Sequence, residues 1–321
     1  MKVLLPLVIS FFILIIGCDV PIDNSTKKVI SESELKRDTY FSQSEQEDRN
    51  YFVYLPREYY SQPNMSWPIL MFLHGNGERG NGKDELDYVL MHGPLYEAWI
   101  QKKDLPFIIV SPQLPMFDFD NKGIDYITNR SKKNIPVRLL KGVPHRPPAF
   151  LNELSIMRTP SLINMDRVAP LLPDGWEKVA PELITILDNV KKKYRVNQKK
   201  IYLSGLSYGG FGTWYMASKY PNRFAAIAPV VGWGHPSFMY SIAAQNLPVW
   251  QFSGGRDATV EIKYFYAGLD KLEQLGHENV RFTVHEDMGH DAWTRVYSSN
   301  ELYDWLLSFE LGESNATSTN E

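Results

Sequence analysis

Seven segments of this chain are rich in apolar residues and are separated by polar or amphipathic stretches. PILMFLHG (68–75), PFIIVSPQ (106–113) and AAIAPVVG (225–232) are nearly continuous apolar runs. Runs of this kind are typical of strands buried on both faces of a mostly parallel sheet. The other predicted strands are 51–56, 200–205, 249–255 and 280–286.

Helical patterns separate the later strands. Leu183, Leu187 and Val190 recur at helical spacing ahead of the strand 200–205. A second helix is predicted over 261–276, where Gly276 is a plausible stop, and a third over 301–311. Alternating strands and helices predict an α/β fold with a mostly parallel, doubly wound sheet.

The first 17 residues have the composition of a secretory signal. Lys2 precedes an apolar stretch, Val3–Ile16, which is too short to span a bilayer. Cys18 is the only cysteine, and the segment IIGC (15–18) resembles the lipobox of bacterial lipoproteins. The resemblance implies an exported bacterial lipoprotein that is anchored to the cell envelope through acyl chains on Cys18, on the periplasmic or cell-surface side. The alternative is an unmodified thiol at the end of the signal.

Composition suggests how the rest of the chain is organised. Residues 18–48 are polar and predict a flexible tether, and residues 312–321 predict a disordered tail. Between them, residues 49–311 predict one folded domain of alternating strands and helices. The net charge of −3 and the lack of a Lys/Arg-rich run give no sign of a nucleic-acid partner.

Residues 116–172 interrupt the strand and helix rhythm and predict an irregular, lid-like insert. The insert carries nine Lys/Arg against five Asp/Glu. This charge fits either a basic lid that favours anionic substrates or a solvated loop. Its aromatic residues suggest contact with an aromatic or sugar part of a substrate; they are Phe117, Phe119, Tyr126 and Phe150.

The segment KIYLSGLSYGGFGTWYMASKYP (200–221) has the order strand, turn, helix and contains a G-x-S-x-G motif at 205–209. The motif alone is weak evidence, because glycine and serine are common. Its position between a strand and a helix predicts that Ser207 lies at the tip of a tight elbow with its Oγ exposed. Gly205 and Gly209 are then needed, because side chains there would collide across the turn.

A serine nucleophile needs a base and an acid that orients the base. His290 follows the last predicted strand in the order Ser…Asp/Glu…His, whereas the rival His285 lies within that strand. Asp257, in a Gly-rich turn one strand earlier, is the predicted acid, although it could instead cap the helix that follows. Glu261 and Asp287 are alternatives for the acid.

The segment MFLHGNGERG (71–80) ends an early strand in His-Gly-Asn-Gly, which resembles the HGGG-type element that supplies an oxyanion donor. The predicted oxyanion hole combines the N–H of Asn76, with Gly77 as the alternative, and the N–H of Tyr208. His74 is predicted to shape this loop.

Five segments together resemble the α/β-hydrolase superfamily, and more closely its esterase and polyhydroxybutyrate depolymerase-like branch, often labelled predicted peptidases. They are HGNGERG, IYLSGLSYGGFGTW, KYPNRFAAIAPVVG, PVWQFSGGRD and GHDAW. The resemblance covers roughly residues 50 to 310, and the insert departs from it. It implies an α/β-hydrolase fold and a serine esterase that forms an acyl-enzyme on small-molecule or carbohydrate-linked esters, including feruloyl and acetyl sugar esters.

Two other functions stay open: a serine peptidase of the same fold, and a catalytically retired lipoprotein that binds its ligand. No cofactor or metal is predicted, since no dinucleotide, P-loop or zinc motif is present. DFDNKG (118–123) begins like a calcium loop, but Lys122 occupies a ligand position and Asn129 replaces the final Glu. The sequence does not indicate the oligomeric state.

Overall fold

The computed structural model describes residues 31–142 and 163–312. One sheet has the strand order β1-β2-β4-β3-β5-β6-β7-β8. β1, β2 and β4 pair antiparallel, and every neighbouring pair from β4 to β8 is parallel, so the predicted mostly parallel sheet is confirmed. The strands are β1 (Glu34–Ser42), β2 (Glu47–Leu55), β3 (Trp67–Leu73), β4 (Ile108–Pro112), β5 (Val196–Leu206), β6 (Ala226–Val230), β7 (Val249–Gly254) and β8 (Val280–His285).

Helices cover both faces of the sheet. The α-helices are α1 (Gly93–Leu95), α2 (Asp125–Thr128), α3 (Ala180–Lys193), α4 (Tyr208–Lys219), α5 (Met239–Ala244), α6 (Phe265–Gln274), α7 (Trp293–Ser298) and α8 (Glu301–Leu307). A π-helical turn, Tyr96–Ile100, continues α1. Short 3₁₀ turns are Asn76–Glu78, Leu86–Leu90, Phe119–Asn121, Lys132–Asn134, Trp176–Val179, Pro221–Arg223, Pro236–Phe238, Ile262–Tyr264 and His290–Ala292.

The central strands are apolar on both faces because each face is covered by a helical layer. In β3, Ile69 and Met71 pack into the layer that contains α3 to α6. Leu70 and Phe72 pack into the opposite layer with α1, α7 and α8. Side chains alternate across a strand, so an uninterrupted apolar run is what a two-sided core requires.

The strand β1 corrects one prediction, since the flexible tether was expected to reach residue 48. Its inward positions include Asp38, whose carboxylate accepts hydrogen bonds from Lys193 Nζ (2.6 Å) and Tyr194 Oη (3.0 Å). Ser42 Oγ likewise donates to Glu182 Oε2 at 3.0 Å. β1 buries polar groups against polar partners, and its sequence therefore lacks the apolar signal of a strand. The tether prediction is wrong for residues 34–48, and residues 18–30 lie outside the described residues.

The described parts of the insert, 116–142 and 163–172, contain the helix α2 and short turns and no strand. Two of its own side chains, Phe119 and Ile127, are buried, so this part of the insert packs onto the domain. Residues 143–162, with the predicted contact residue Phe150, and the tail beyond residue 312 lie outside the described residues. Among the described residues, no helix has both the length and the apolar character needed to cross a membrane.

Removing β1 should destabilise the domain. A chain that begins at Glu47 loses the full β1–β2 pairing and the Asp38–Lys193 ion pair. We expect its melting temperature to lie at least about 5 °C below that of a chain that begins at Ser31, measured by circular dichroism. Equal melting temperatures would mean that β1 adds nothing to stability.

Candidate active site

Ser207 occupies the turn between β5 and α4 in a backbone conformation that is costly for a residue with a side chain. Its φ is 51° and its ψ is −117°, a geometry that costs on the order of 1–3 kcal/mol and persists only where the surroundings impose it. Here the Ser207 N–H donates to Val230 O at 2.9 Å, and the Ser207 carbonyl accepts from Phe211 N at 3.1 Å. The elbow is therefore held from both sides.

Two glycines make this turn possible, as predicted. A Cβ on Gly205 would lie 2.3 Å from Gly209 O, and a Cβ on Gly209 would lie 1.8 Å from Leu73 O. Both distances are far shorter than any tolerated contact with backbone. The start of α4 consequently lies directly against the carboxyl end of β3.

The structure brings Ser207, His290 and Asp257 together in one chain of hydrogen bonds. His290 Nε2 lies 3.0 Å from Ser207 Oγ, and His290 Nδ1 lies 2.7 Å from Asp257 Oδ2. Asp257 is fully buried, and its Oδ1 accepts from Thr259 N and Val260 N, each at 2.8 Å. Its carboxylate thus caps the following turn and faces His290 at once. These partners put the proton of His290 on Nδ1 and leave Nε2 free to accept the proton of Ser207.

The rival residues contact other groups. The ring of His285, in β8, stacks on Phe252 with ring centroids 6.4 Å apart. Asp287 forms an ion pair with Arg295 at 2.6 Å, and Glu261 lies 3.1 Å from Lys263. None of the three is among the groups that bond to Ser207 or His290 in the described residues.

The two predicted oxyanion donors begin neighbouring elements. Asn76 opens the 3₁₀ turn after β3, and Tyr208 opens α4. A Cβ on Gly75 would lie 3.7 Å from Ser207 Cβ, so this 3₁₀ turn runs beside Ser207. The Asn76 side chain is held by Arg79 Nε (2.5 Å to Oδ1) and by Tyr126 Oη (2.9 Å from Nδ2). The geometry therefore favours its backbone N–H as the donor.

His74 shapes the loop, as predicted. Its Nε2 accepts from Leu114 N at 2.9 Å, and its Nδ1 lies 2.6 Å from Gly75 O. Burial lowers the pKa of His74 to about 3, so the ring is neutral and bridges the segments that follow β3 and β4.

Sequence reasoning missed Glu78, which lies two residues beyond Asn76. Burial raises its pKa to about 7, an effect that hydrogen bonds from the backbone of Glu78 and Gly75 partly offset. Its nearest titratable neighbours are His74 Nδ1 (3.8 Å) and His92 Nε2 (3.6 Å). The only available signal was an acid within HGNGERG, directly after the segment HGNG at 74–77.

A cavity of about 800 Å³ opens over Ser207 and His290. One wall is aromatic: Phe211 lies edge-on to Trp233 at 4.9 Å, and Trp233 stacks on Tyr264 at 5.8 Å. Trp293 lies edge-on to His290 at 5.2 Å. Further lining residues include Asn76, Glu78, His92, Tyr126, Arg130, Leu172, Leu206, Tyr208 and Val260. The cavity can hold a sizeable apolar group beside Ser207. Among the described residues, no three acidic, histidine or cysteine side chains converge as metal ligands would.

Comparisons with known proteins match this architecture. The profile of the prolyl oligopeptidase family matches residues 177–267, less than a third of the chain. A bifunctional acetylxylan esterase/xylanase of Neocallimastix patriciarum is 38% identical over 73 residues, 22% of this chain and 10% of that protein. Poly(3-hydroxyalkanoate) depolymerase C of Paucimonas lemoignei is 40% identical over 47 residues, 15% of this chain and 11% of that protein.

The chain therefore spans about a tenth of the length of the curated relatives it matches. The crystal structure of a thermostable esterase superposes with a TM-score of 0.58 at 23% identity, covering 86% of this chain and 63% of that one. This likeness and the strand order confirm the predicted α/β-hydrolase fold.

The raised pKa of Glu78 makes stability depend on pH. Folding raises that pKa from 4.5 to about 7, so the folded chain binds more protons than the unfolded chain between these values. The free energy of unfolding therefore falls as pH rises through this window. Gln cannot ionise, so the free energy of unfolding of Glu78→Gln does not fall in this window. We expect the variant to gain roughly 2–3 kcal/mol relative to wild type between pH 4.5 and 8, measured by urea unfolding. A difference that is constant with pH would contradict the raised pKa.

Proposed function

We propose that this chain, an α/β-hydrolase by its fold, hydrolyses carboxylic esters with Ser207 as nucleophile, His290 as general base and then acid, and Asp257 as the group that orients His290. The observation that carries the proposal is the hydrogen-bond chain from Asp257 through His290 to Ser207, with distances of 2.7 and 3.0 Å. Ser207, at the end of this series of hydrogen bonds, lines the cavity of about 800 Å³.

Acylation follows from these positions. Ser207 Oγ attacks the ester carbonyl carbon while its proton passes to His290 Nε2. The buried Asp257 carboxylate stabilises the imidazolium that forms. The carbonyl oxygen becomes an oxyanion and accepts hydrogen bonds from the N–H groups of Asn76 and Tyr208.

The same groups complete acylation and then carry out deacylation. His290 gives its proton to the departing alcohol as the C–O bond breaks, which leaves an acyl-enzyme on Ser207. Water then attacks the acyl carbon while His290 takes its proton. His290 passes that proton to Ser207 Oγ as the bond between Oγ and the acyl carbon breaks, so the acid and free Ser207 result. The proposed reaction needs no cofactor.

The proposed substrates are feruloyl or acetyl esters of sugars. The aromatic wall of Phe211, Trp233 and Tyr264 favours a planar apolar acyl group. The similarity to an acetylxylan esterase/xylanase favours an acetylated sugar. Tyr126 and Arg130 of the insert also line the cavity and can donate hydrogen bonds to a sugar part.

A second candidate is a serine peptidase of the same fold, which the match to the prolyl oligopeptidase family favours. Matched p-nitrophenyl ester and p-nitroanilide substrates with the same acyl group separate the two activities. A retired, binding-only role is disfavoured by the complete hydrogen-bond chain at Ser207.

We also propose that the chain is a lipoprotein of a bacterial cell envelope, with acyl chains on Cys18. The proposal rests on the apolar segment 3–16 and the adjoining lipobox-like sequence. Cys18 lies outside the described residues, so it stands on sequence alone.

Ser207→Ala should abolish hydrolysis, because the proposed acyl-enzyme forms on its Oγ. We expect kcat/KM to fall at least about 10⁴-fold on p-nitrophenyl esters, feruloyl esters and acetylated sugars, assayed with the chain that lacks residues 1–18. Ser218→Ala is the control and should leave turnover unchanged, because Ser218 Oγ donates its hydrogen bond to Tyr215 O on α4. Residual turnover of Ser207→Ala within tenfold of wild type would rule out this nucleophile.

Cys18→Ser should release the protein from the membrane. Expressed in a bacterium with residues 1–17 in place, wild type should sediment with membranes and incorporate labelled palmitate, and the variant should do neither. Equal membrane association of the two proteins would remove the lipid-anchor proposal.

A further inference from the structure

Arg79 is a fully buried arginine whose guanidinium connects three separate parts of the chain. Its Nε donates to Asn76 Oδ1 at 2.5 Å. Its Nη1 donates to Pro115 O at 2.9 Å, and its Nη2 donates to Asp174 O at 2.8 Å. Pro115 directly precedes the insert and Asp174 lies just after it, so one side chain holds both ends of the insert.

The same guanidinium lies against two aromatic rings. Its carbon is 4.0 Å from the ring centre of Phe119, in the insert, and 5.0 Å from that of Tyr208. Arg79 thus contacts both residues whose N–H groups are the proposed oxyanion donors, Asn76 through a hydrogen bond and Tyr208 through its ring.

The groups that accept hydrogen bonds from Arg79 carry no negative charge. Among the described residues, these three acceptors are two backbone carbonyls and one amide oxygen. Burial lowers its pKa to about 10, so it stays charged near neutral pH. A charged guanidinium that is fixed by three acceptors has little freedom to move, and it can impose its geometry on the groups around it.

Two further side chains of the insert contact the 3₁₀ turn Asn76–Glu78. Tyr126 Oη accepts from Asn76 Nδ2 at 2.9 Å. Arg130 donates to the carbonyls of Gly77 and Arg79, and its Nη2 pairs with Glu85 at 2.7 Å. The described part of the insert therefore supports the 3₁₀ turn Asn76–Glu78 as well as lining the cavity.

We propose that Arg79 is a positioning residue that sets the N–H groups of Asn76 and Tyr208 against Ser207 and ties their placement to the insert. The inference rests on the proposed hydrolytic function. An oxyanion donor must lie about 2.7–3.1 Å from the oxygen it stabilises, and a shift of about 1 Å can lower a rate about 10²-fold. The oxyanion forms only in the transition state, so displaced donors lower kcat and leave KM nearly unchanged.

The test compares Arg79→Met with Arg49→Met. Arg49 is also buried, with 1% of its surface exposed, and its Nη2 donates to Gly80 O and Gln113 O. None of its hydrogen bonds in the described residues reaches Asn76 or Tyr208. Arg49→Met therefore controls for the loss of a buried guanidinium near the same loop.

Two rates are measured for each protein: p-nitrophenyl acetate hydrolysis, and the second-order rate at which a fluorophosphonate modifies Ser207. In the second reaction the Oγ–P bond forms as fluoride leaves and the Oγ proton passes to His290, and the phosphoryl oxygen needs the same donors. We expect Arg79→Met to lower kcat and the phosphonylation rate about 10- to 100-fold with KM within about threefold. Arg79→Lys, which keeps the charge but not the forked geometry, should fall between Arg79→Met and wild type.

Asn76→Ala provides an independent arm if Arg79→Met does not fold. It keeps the backbone N–H but removes the acceptor for Arg79 Nε. If Arg79 acts through this contact, Asn76→Ala lowers both rates, and adding it to Arg79→Met has less than its full effect. Wild-type rates in Asn76→Ala, or equal losses in Arg79→Met and Arg49→Met, would overturn the proposal.

The two proposals fail in different ways. A wild-type protein without ester turnover but with rapid phosphonylation of Ser207 would overturn the ester-hydrolase proposal alone, because the ranking of the Arg79, Arg49 and Asn76 variants is still read from phosphonylation. Normal wild-type turnover with unaffected Arg79 variants would overturn the positioning proposal alone.

Discussion

The rest of the site depends on the close approach of α4 to the carboxyl end of β3. Gly209 leaves no room for a side chain beside Leu73 O, and a Cβ there would lie 1.8 Å from that oxygen. This approach forces Ser207 into its costly backbone conformation and brings Tyr208 beside the turn that starts at Asn76. Asp257 and His290 follow β7 and β8, so all the proposed groups meet at one edge of the sheet.

Behind this edge the chain buries ionisable groups, and each is kept in place in a different way. His74 stays neutral between Leu114 N and Gly75 O. Arg79 stays charged because three acceptors and two rings surround it. The pKa of Glu78 is raised, because desolvation outweighs the hydrogen bonds from backbone N–H groups that favour its charged form. A polar layer therefore lies under a largely apolar cavity.

Apolar runs and chain order were enough to predict seven strands and the helices near α3, α6 and α8. They also predicted Ser207, His290 and Asp257, which lie in one series of hydrogen bonds. These features are local, or they follow from parallel strands placing their carboxyl ends together. β1 escaped prediction because its buried positions are Asp38, Tyr40 and Ser42, and two of them are polar. The hydrogen bonds of Arg79 and the bond between Asn76 and Tyr126 could not be predicted either, because the partners are distant in sequence, 50 positions for Asn76 and Tyr126 and 95 for Arg79 and Asp174.

The two carbonyls that Arg79 holds have a consequence for how such a domain diversifies. Pro115 and Asp174 form a junction of set width, since both are fixed to one guanidinium. Loop-closure entropy rises only slowly with loop length, so segments of very different size can be joined at such a junction at little extra cost. The intervening loop, and the part of the cavity wall that it supplies, can then be replaced during evolution or by design. Ser207, His290 and Asp257 lie outside that loop and would be kept, whereas each new loop would have to supply its own contacts to the turn at Asn76.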